Sequence, residues 1–373
     1  VQKSSREELT LPPRVYPKEI MQYQQLGNTG VFVSRLCLGA MTFGGGATSI
    51  WSAIGALGQQ DTDTLVGQSL DAGINFIDTA NVYGGGESEI QVGRALGARR
   101  NDVVLASKVY GRMGPGANQV GLSRLAIMQE AEASLKRLNT DRIDLHQIHG
   151  FDSMTPLEET LAALTDLVRQ GKVRYIGCSN LAAWQIMKAQ GISALHHLEK
   201  FITLQAYYSI AGRDIERDIV PMLEDQKIGL LTWSPLAGGL LSGKFTRSNA
   251  GDGDARRSKF PFPPVNFERA YDVIDAMQAI ATRRGATVAQ VALAWQLHKP
   301  FVTSVIIGAK KTSQLKDNLG AADLKLEADE LKQLDEVSQL PPEYPGWMFG
   351  FQGSDRRPGQ VRDWSRLAQV ATK

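Results

Sequence analysis

Four ionisable side chains, Asp78, Tyr83, Lys108 and His149, stand where apolar runs give way to polar loops. Asp78 ends the apolar run in the stretch Gly73 to Glu89, GINFIDTANVYGGGESE, and Tyr83 follows in its glycine turn, while Lys108 ends LASK and His149 ends LHQIH. An unperturbed tyrosine titrates near about 10, and a lysine ammonium beside its oxygen stabilises the phenolate and lowers that value. Lys108 is the residue for that role, Asp78 can keep it charged and placed, and a neutral His149 can hydrogen-bond a substrate oxygen. Such a group polarises a carbonyl and protonates the alkoxide that forms on it. It holds no nucleophile for this task, so hydride has to come from a cofactor. A Schiff-base isomerase or aldolase built on Lys108 is a competing use of the same lysine. Each residue alone has a bland reading as helix cap, core aromatic or solvated charge; their occurrence at consecutive strand ends is what points to function.

The elements that must carry these residues can be read from the apolar pattern. Ile74, Phe76 and Ile77 form a near-continuous apolar run, as expected of a strand buried on both faces. Similar runs at Leu36–Leu38, Val103–Ser107, Ile143–Ile148, Val173–Cys178, Ile202–Gln205, Ile228–Thr232 and Val302–Ile307 complete a set of eight strand candidates. Helical spacing lies between them, with helix starts predicted at a capping box with proline, Thr155-Pro156-Leu157-Glu158, and at a second box, Thr287 to Gln290. The segment Phe267 to His298 is expected to break near Gly285. Strand and helix in alternation predict an α/β fold, a (β/α)8 TIM barrel with an N-terminal hairpin over residues 22 to 33, serving as plug or lid, and a C-terminal extension. An open doubly wound sheet is disfavoured, because no G-x-G-x-x-G follows any of the strand candidates. In a parallel barrel catalytic groups collect at the C-terminal strand ends, where the four residues fall.

Composition narrows the partners. The chain has 373 residues, 43% hydrophobic, and a formal net charge of +2, too small to suggest nucleic-acid binding. Cys37 and Cys178 are its two cysteines, so no disulfide framework is expected, and a cytoplasmic location is. The first twenty residues lack the apolar core of a secretory signal, and no window reads as a membrane span. The expected organisation is a flexible segment at 1–20, one barrel domain at 21–340 and a tail at 341–373 near the pocket mouth, with Tyr344, Trp347, Phe349 and Phe351 packing it down or lining that mouth. Asn249 to Lys259, NAGDGDARRSK, reads as a mobile surface loop. The five histidines show no metal-binding spacing, and GGLLSGK at 238–244 is a false P-loop because Phe245 replaces the Ser or Thr that Mg²⁺ needs.

Gly73 to Glu89, LASK at 105–108, DRIDLHQIHGFD at 141–152, GKVRYIGCSN at 171–180, TWSPLAGGLLSGK at 232–244 and VIIGAKKTSQLKDN at 305–318 together resemble the aldo-keto reductase superfamily, over about residues 22 to 340. The resemblance implies an NAD(P)H-dependent carbonyl reductase with Tyr83 as general acid and base, Asp78 and Lys108 tuning it, and His149 orienting the substrate. It further implies that Ser179, Asn180 and Gln205 hold the nicotinamide carboxamide and that Trp233 stacks on its ring. Ser234, Leu236, Gly238 and Lys244 would wrap the pyrophosphate, Gly308, Lys310, Thr312, Gln314, Asp317 and Asn318 would grip the adenosine end, and Gly39 and Met41 of the first strand's loop join the cofactor set. Lys310 and Lys311 facing a 2′-phosphate favour NADPH/NADP+, with NADH as the alternative.

Phe43, Trp51, Tyr110 and Trp347 are the expected pocket liners, suiting an apolar or ring-bearing carbonyl compound. Two departures stand out: His146 replaces a tyrosine common in relatives and is read as a core residue, and the stretch between Gly46 and Asp61 is longer than in minimal members. The expected function is reversible reduction of aldehydes or ketones to alcohols, with a small-molecule carbonyl or alcohol as partner, no nucleic acid or membrane, and a monomer or homo-oligomer as the assembly. The alternative is a cofactor-sensing regulatory subunit of the potassium-channel-associated type, whose helix opening GLSR at 121–124 resembles.

Overall fold

The computed structural model describes residues 21–45, 54–249 and 256–352. Its apolar runs become β3 (Leu36–Gly39), β4 (Phe76–Asp78), β5 (Val104–Val109), β6 (Ile143–Ile148), β7 (Val173–Ser179), β8 (Thr203–Tyr207), β9 (Gly229–Trp233) and β10 (Val302–Ile307). These strands close into one barrel in the order β10-β3-β4-β5-β6-β7-β8-β9, with every neighbouring pair parallel. The expected eight-stranded α/β barrel is therefore present. Ahead of it, β1 (Tyr23–Gln25) and β2 (Phe32–Ser34) pair as an antiparallel hairpin. The hairpin is a plug at the N-terminal strand ends: Leu26 and Val33 join the interior cluster, and Gly27 packs so closely that a Cβ there would lie 2.2 Å from the Ile202 carbonyl oxygen.

Strand pleating sorts the side chains into two cores. Cys37, Phe76, Ala106, Leu145, Leu231 and Ile306 fill the barrel interior as one apolar cluster. Two residues further along their strands, on the same inward face, come Asp78, Lys108, Gln147 and Trp233. The barrel is thus apolar below and polar at its C-terminal rim. The larger core lies between the strands and α1 (Gln59–Asp71), α2 (Glu87–Leu96), α3 (Arg124–Leu138), α4 (Leu157–Arg169), α5 (Ala183–His196), α6 (Ile219–Gln226), α7 (Phe267–Arg284), α8 (Val288–Leu297), α9 (Thr312–Leu319) and α10 (Ala328–Val337). Ile74, expected in a strand, instead packs in this outer core ahead of β4.

The helix signals were mostly sound. Gly285, at φ 63°, separates α7 from α8, and Thr287 and Gln290 form the reciprocal capping box. The first box is corrected: α4 begins at Leu157 with Pro156 as N-cap and no side-chain cap, because the Thr155 hydroxyl donates to Asp152 Oδ2 at 2.8 Å. Asp152 also accepts from the backbone of Leu122 and Met154, so it organises the turn that Thr155 was expected to cap.

Two further expectations change. Arg256–Lys259, read as the end of a mobile loop, form a helical turn in which Arg257 is buried and donates to the Ala237 and Pro263 carbonyls. In the tail, Tyr344 and Phe349 are 74% and 67% exposed rather than packed down, and the ion pair of Glu343 with Arg217 ties this segment to the barrel instead. The end of the tail from residue 353 lies outside the described residues, as do the N-terminal segment 1–20 and Trp51.

α2, which follows the Tyr83 turn, meets the end of α3 at Gly93. A Cβ there would lie 2.3 Å from the Leu138 carbonyl oxygen, backbone against backbone. We expect Gly93→Ala to cost about 1–3 kcal/mol through overpacking, read as a lowered denaturant midpoint. A midpoint equal to wild type would show that the two helices have room to separate.

Candidate active site

Lys108 is the centre of the polar rim. Its side chain is fully buried, and its Nζ donates to Asp78 Oδ2 at 2.6 Å, to the Thr79 carbonyl at 2.9 Å and to the Tyr83 hydroxyl at 3.3 Å. Three acceptors thus match the three protons of an ammonium. Asp78 is buried too, and its other oxygen accepts from Gln205 Nε2 at 2.8 Å and Gln147 Nε2 at 3.2 Å. A carboxylate can only accept, which orients both amides with nitrogen inward. Burial alone would lower the Lys108 pKa, but Asp78 and Tyr83 together outweigh it and hold the ammonium above its ordinary value. An unpaired buried charge costs several kcal/mol, so this pair is what allows a lysine to sit there ionised.

The glycine turn brings Tyr83 to that ammonium. Gly84, Gly85 and Gly86 have φ of 60°, 67° and 101°, successive left-handed angles that residues with a Cβ avoid. The chain doubles back, and Lys108 Nζ lies 4.8 Å from the Tyr83 ring centroid. Burial raises the Tyr83 phenol above its ordinary value; Lys108 lowers it, as the sequence suggested, but by less than burial raises it. The His149 ring meets Tyr83 edge-on, with centroids 5.6 Å apart at 76°. His149 is half-buried, and desolvation followed by the Lys108 charge lowers it from 6.5 to about 3. Its imidazole is therefore neutral at physiological pH.

The residues that the resemblance assigned to a cofactor lie at the C-terminal ends of β3 and β7 to β10 and in the segments that follow them. Ser179 Oγ donates to the Gln205 carbonyl at 3.0 Å, and Asn180, at φ 59°, donates to the His149 carbonyl and accepts from Trp233 Nε1 at 3.0 Å. Trp233 is flanked by Tyr207 and by Phe262, whose ring is stacked 5.6 Å away at 10°. Ser234 and Gly238 take positive φ in the turn after β9, where Leu236 is half-buried and Lys244 exposed. After β10, Gly308 and Thr312 are exposed, the Lys310 amide donates to Gln314 Oε1 at 2.8 Å, and Asn318 Nδ2 donates to the Gly308 carbonyl at 3.2 Å. Asp317 instead accepts from the Thr287 hydroxyl at 3.1 Å, which ties it to the start of α8. Gly39 lies against Ile306, Met41 is half-buried, and Thr42 donates to the Ala309 carbonyl at 3.1 Å, joining the loops after β3 and β10.

The donor chemistry fits an anionic, phosphate-bearing group. Lys310 is lowered by burial and then by the nearby charges of Arg256 and Lys259, and Arg256 Nε is buried without a partner. Among the described residues, neither Lys310 nor Arg256 forms an ion pair, and the positive charges of Arg256 and Lys259 bear on Lys310. Arg256 and Lys259 were missed because their charge run read as a solvated loop. Gln147 was also missed; its place two residues beyond inward-facing Leu145 was the available signal. Among the expected pocket liners, Phe43 is corrected: it is fully buried in the outer core and supports its loop from beneath. Tyr110 and Trp347 are half-buried, with Trp347 paired to Tyr344 at 6.0 Å. No group of three or more His, Cys, Asp or Glu suited to a metal ion occurs among the described residues.

His146, on β6 behind the site, is fully buried, with burial lowering it from 6.5 to about 4. Below pH 6.5 the unfolded chain takes up this proton while the folded chain does not, so the stability it contributes is complete above 6.5 and is lost as pH falls toward 4. We expect His146→Leu to remove one proton's worth of acid sensitivity in that window, a slope change of about 1.4 kcal/mol per pH unit. Denaturant titrations at several pH values check this, and parallel pH profiles for the two proteins would contradict it.

Comparisons with known proteins agree with this architecture. The family model described as Aldo/keto reductase family matches residues 35–339. An uncharacterized oxidoreductase, YrpG, of Bacillus subtilis is 38% identical over 347 residues, covering 88% of this chain and all of the relative. Versiconal hemiacetal acetate reductase of Aspergillus parasiticus is 33% identical, covering 87% of this chain and 99% of the relative. A probable voltage-gated potassium channel subunit beta of Arabidopsis thaliana is 36% identical, again over 87% and 99%. With a match across the whole barrel and relatives covered end to end, the chain belongs to the aldo/keto reductase family of NAD(P)H-dependent oxidoreductases.

Proposed function

We propose that the protein is an NADPH-linked reductase of aldehydes and ketones, working reversibly on the corresponding alcohols, with Tyr83 as general acid. The observation that carries this reading is a single buried ammonium, Lys108, bonded at once to Asp78 at 2.6 Å and to the Tyr83 hydroxyl at 3.3 Å, beside a neutral His149. A substrate carbonyl between Tyr83 and His149 would accept a hydrogen bond from each. The raised phenol keeps its proton at neutral pH and gives it up only to an oxygen that is becoming an alkoxide. Lys108 then stabilises the phenolate that remains, and Asp78, held by Gln147 and Gln205, keeps Lys108 charged while this happens. In the direction of alcohol oxidation the same phenolate is the base.

The bound nicotinamide would supply the hydride to the carbonyl carbon. Ser179, Asn180 and Gln205 would hold its carboxamide, Trp233 would stack on its ring, and Lys244 and Lys310, joined by Arg256 and Lys259, would meet the phosphates. The crowding of Lys310 by other cations supports the 2′-phosphorylated form over NADH. Half-buried Tyr110 supports an apolar or ring-bearing substrate. Free, buried Cys37 and Cys178 support a cytoplasmic setting, and no helix among the described residues is long and apolar enough to cross a membrane.

The Schiff-base reading of Lys108 loses ground, since a charged amine with three acceptors is not a nucleophile. A regulatory role is supported by the Arabidopsis relative's name and would use the same nucleotide site with slow turnover. A carbonyl panel followed by NADPH absorbance separates the two. We expect steady turnover that Tyr83→Phe lowers by about 10²–10⁴-fold with nucleotide affinity kept; undiminished turnover in that variant would sink the mechanism. Lys310→Ala should raise the KM for NADPH about tenfold while leaving that for NADH nearly unchanged, as expected for loss of one phosphate contact worth about 1.4 kcal/mol. Equal effects on both nucleotides would remove the case for NADPH.

A further inference from the structure

Beneath the Tyr83 turn, on the helix side of the strands, lies a buried polar network that the proposed chemistry does not use. Glu89, in the first turn of α2, is fully buried. Its Oε1 accepts from the Ser107 hydroxyl at 2.5 Å and its Oε2 from Arg137 Nε at 2.6 Å. Arg137, from the last turn of α3, reaches Ser134 Oγ at 3.1 Å and Glu130 Oε2 at 3.3 Å through Nη2. The same Glu130 oxygen accepts from Asn81 Nδ2 at 3.1 Å, and the Asn81 amide donates to the Lys108 carbonyl at 3.1 Å.

The addresses of these partners matter. Ser107 immediately precedes Lys108 on β5, and Asn81 stands two residues before Tyr83. One guanidinium therefore gathers, through two carboxylates, both chain segments whose side chains must meet at 3.3 Å on the other face of the strand. Gly86 completes the seat: a Cβ there would lie 2.8 Å from Arg137 Cδ, so the glycine turn rests directly on the arginine's stem. A planar, permanently charged fork suits this better than lysine, because Nε and Nη2 serve different carboxylates at once.

Resting on the function proposed above, we infer that Arg137, clamped between Glu89 and Glu130, is a positioning residue that sets the Lys108–Tyr83 separation. It touches no reacting atom and acts through Ser107, Asn81 and the Gly84–Gly86 turn. Loosening it would displace Tyr83 relative to Lys108 and so weaken phenolate stabilisation, while the nucleotide-facing loops after β7, β9 and β10, which carry none of the network, would be spared.

The test is Glu89→Gln combined with Arg137→Met, which removes both charges together and leaves no unpaired buried ion from this pair. We expect kcat for carbonyl reduction to fall about 10–100-fold, as for a misplaced catalytic group, with nucleotide affinity within twofold of wild type and the pH profile of kcat displaced. The charged groups that bear on that profile are Lys108, Asp78 and Arg256, and the titratable His149 ring faces Tyr83 beside them. Arg137→Lys should recover part of the loss. If the double variant does not fold, Asn81→Ala removes one hydrogen bond to Glu130 without changing any charge and should move kcat the same way by a smaller factor. Independently of catalysis, the tyrosine ¹³Cζ resonance of Tyr83, assigned with Tyr83→Phe and recorded without nucleotide, should shift in the Arg137 variants. A folded variant with wild-type kcat, pH profile and Tyr83 resonance would overturn the inference. An absence of carbonyl turnover in the wild type together with a displaced resonance would instead fault the proposed function and leave the positioning role standing.

Discussion

The ion pair between Lys108 and Asp78 is the constraint from which the rest of this site follows. A lysine with no solvent exposure is tenable only where its charge is met, and here Asp78, the Thr79 carbonyl and the Tyr83 hydroxyl meet it. Asp78 in turn needs donors for its second oxygen, and Gln147 and Gln205 supply them from two other strands. The polar rim is thus a single connected unit across β4, β5, β6 and β8. Removing Lys108 or Asp78 would leave the other with an unmet buried charge, and the two glutamines tie that pair to two further strand ends.

The barrel beneath provides the low-dielectric floor that makes these contacts strong. Cys37, Phe76, Ala106, Leu145, Leu231 and Ile306 fill the interior, and the β1–β2 hairpin closes it from below through Leu26 and Val33. Lys108 is fully buried above this floor. Burial therefore dominates the behaviour of the phenol, and Lys108 opposes it. On the proposed reading that balance is useful: a phenol that holds its proton until an alkoxide forms is a better acid for this step than one already ionised.

Much of this was legible in the chain because a parallel barrel writes its strands plainly. Strands buried on both faces are unbroken apolar runs, and each ends abruptly in polarity at the rim, so Asp78, Lys108 and His149 could be placed by counting. The residues that escaped notice are those whose meaning depends on packing between elements. Gln147 looks like one more strand residue until its pleat face is known, and Arg137 and Glu89 look like ordinary helix charges until α2 and α3 are laid together. Arg257 sat in a charge run that read as solvated, yet its guanidinium holds Ala237 and Pro263. Phe43 erred the other way: an aromatic just after a strand suggested a pocket wall, but its loop turns it into the helix layer. Local pattern fixes direction along an element; only tertiary packing decides what the side chain meets.

The site depends on Lys108 being a charged ammonium at neutral pH because Asp78 is beside it. Nitrogen-15 NMR of the lysine side chains, with Lys108 assigned by substitution, reads that charge directly. The ammonium form is expected throughout the neutral range in the wild type, and in Asp78→Asn burial should prevail and drive the group to the neutral amine. A neutral Lys108 in the wild type, or one that stays charged unchanged when Asp78 is replaced, would contradict it.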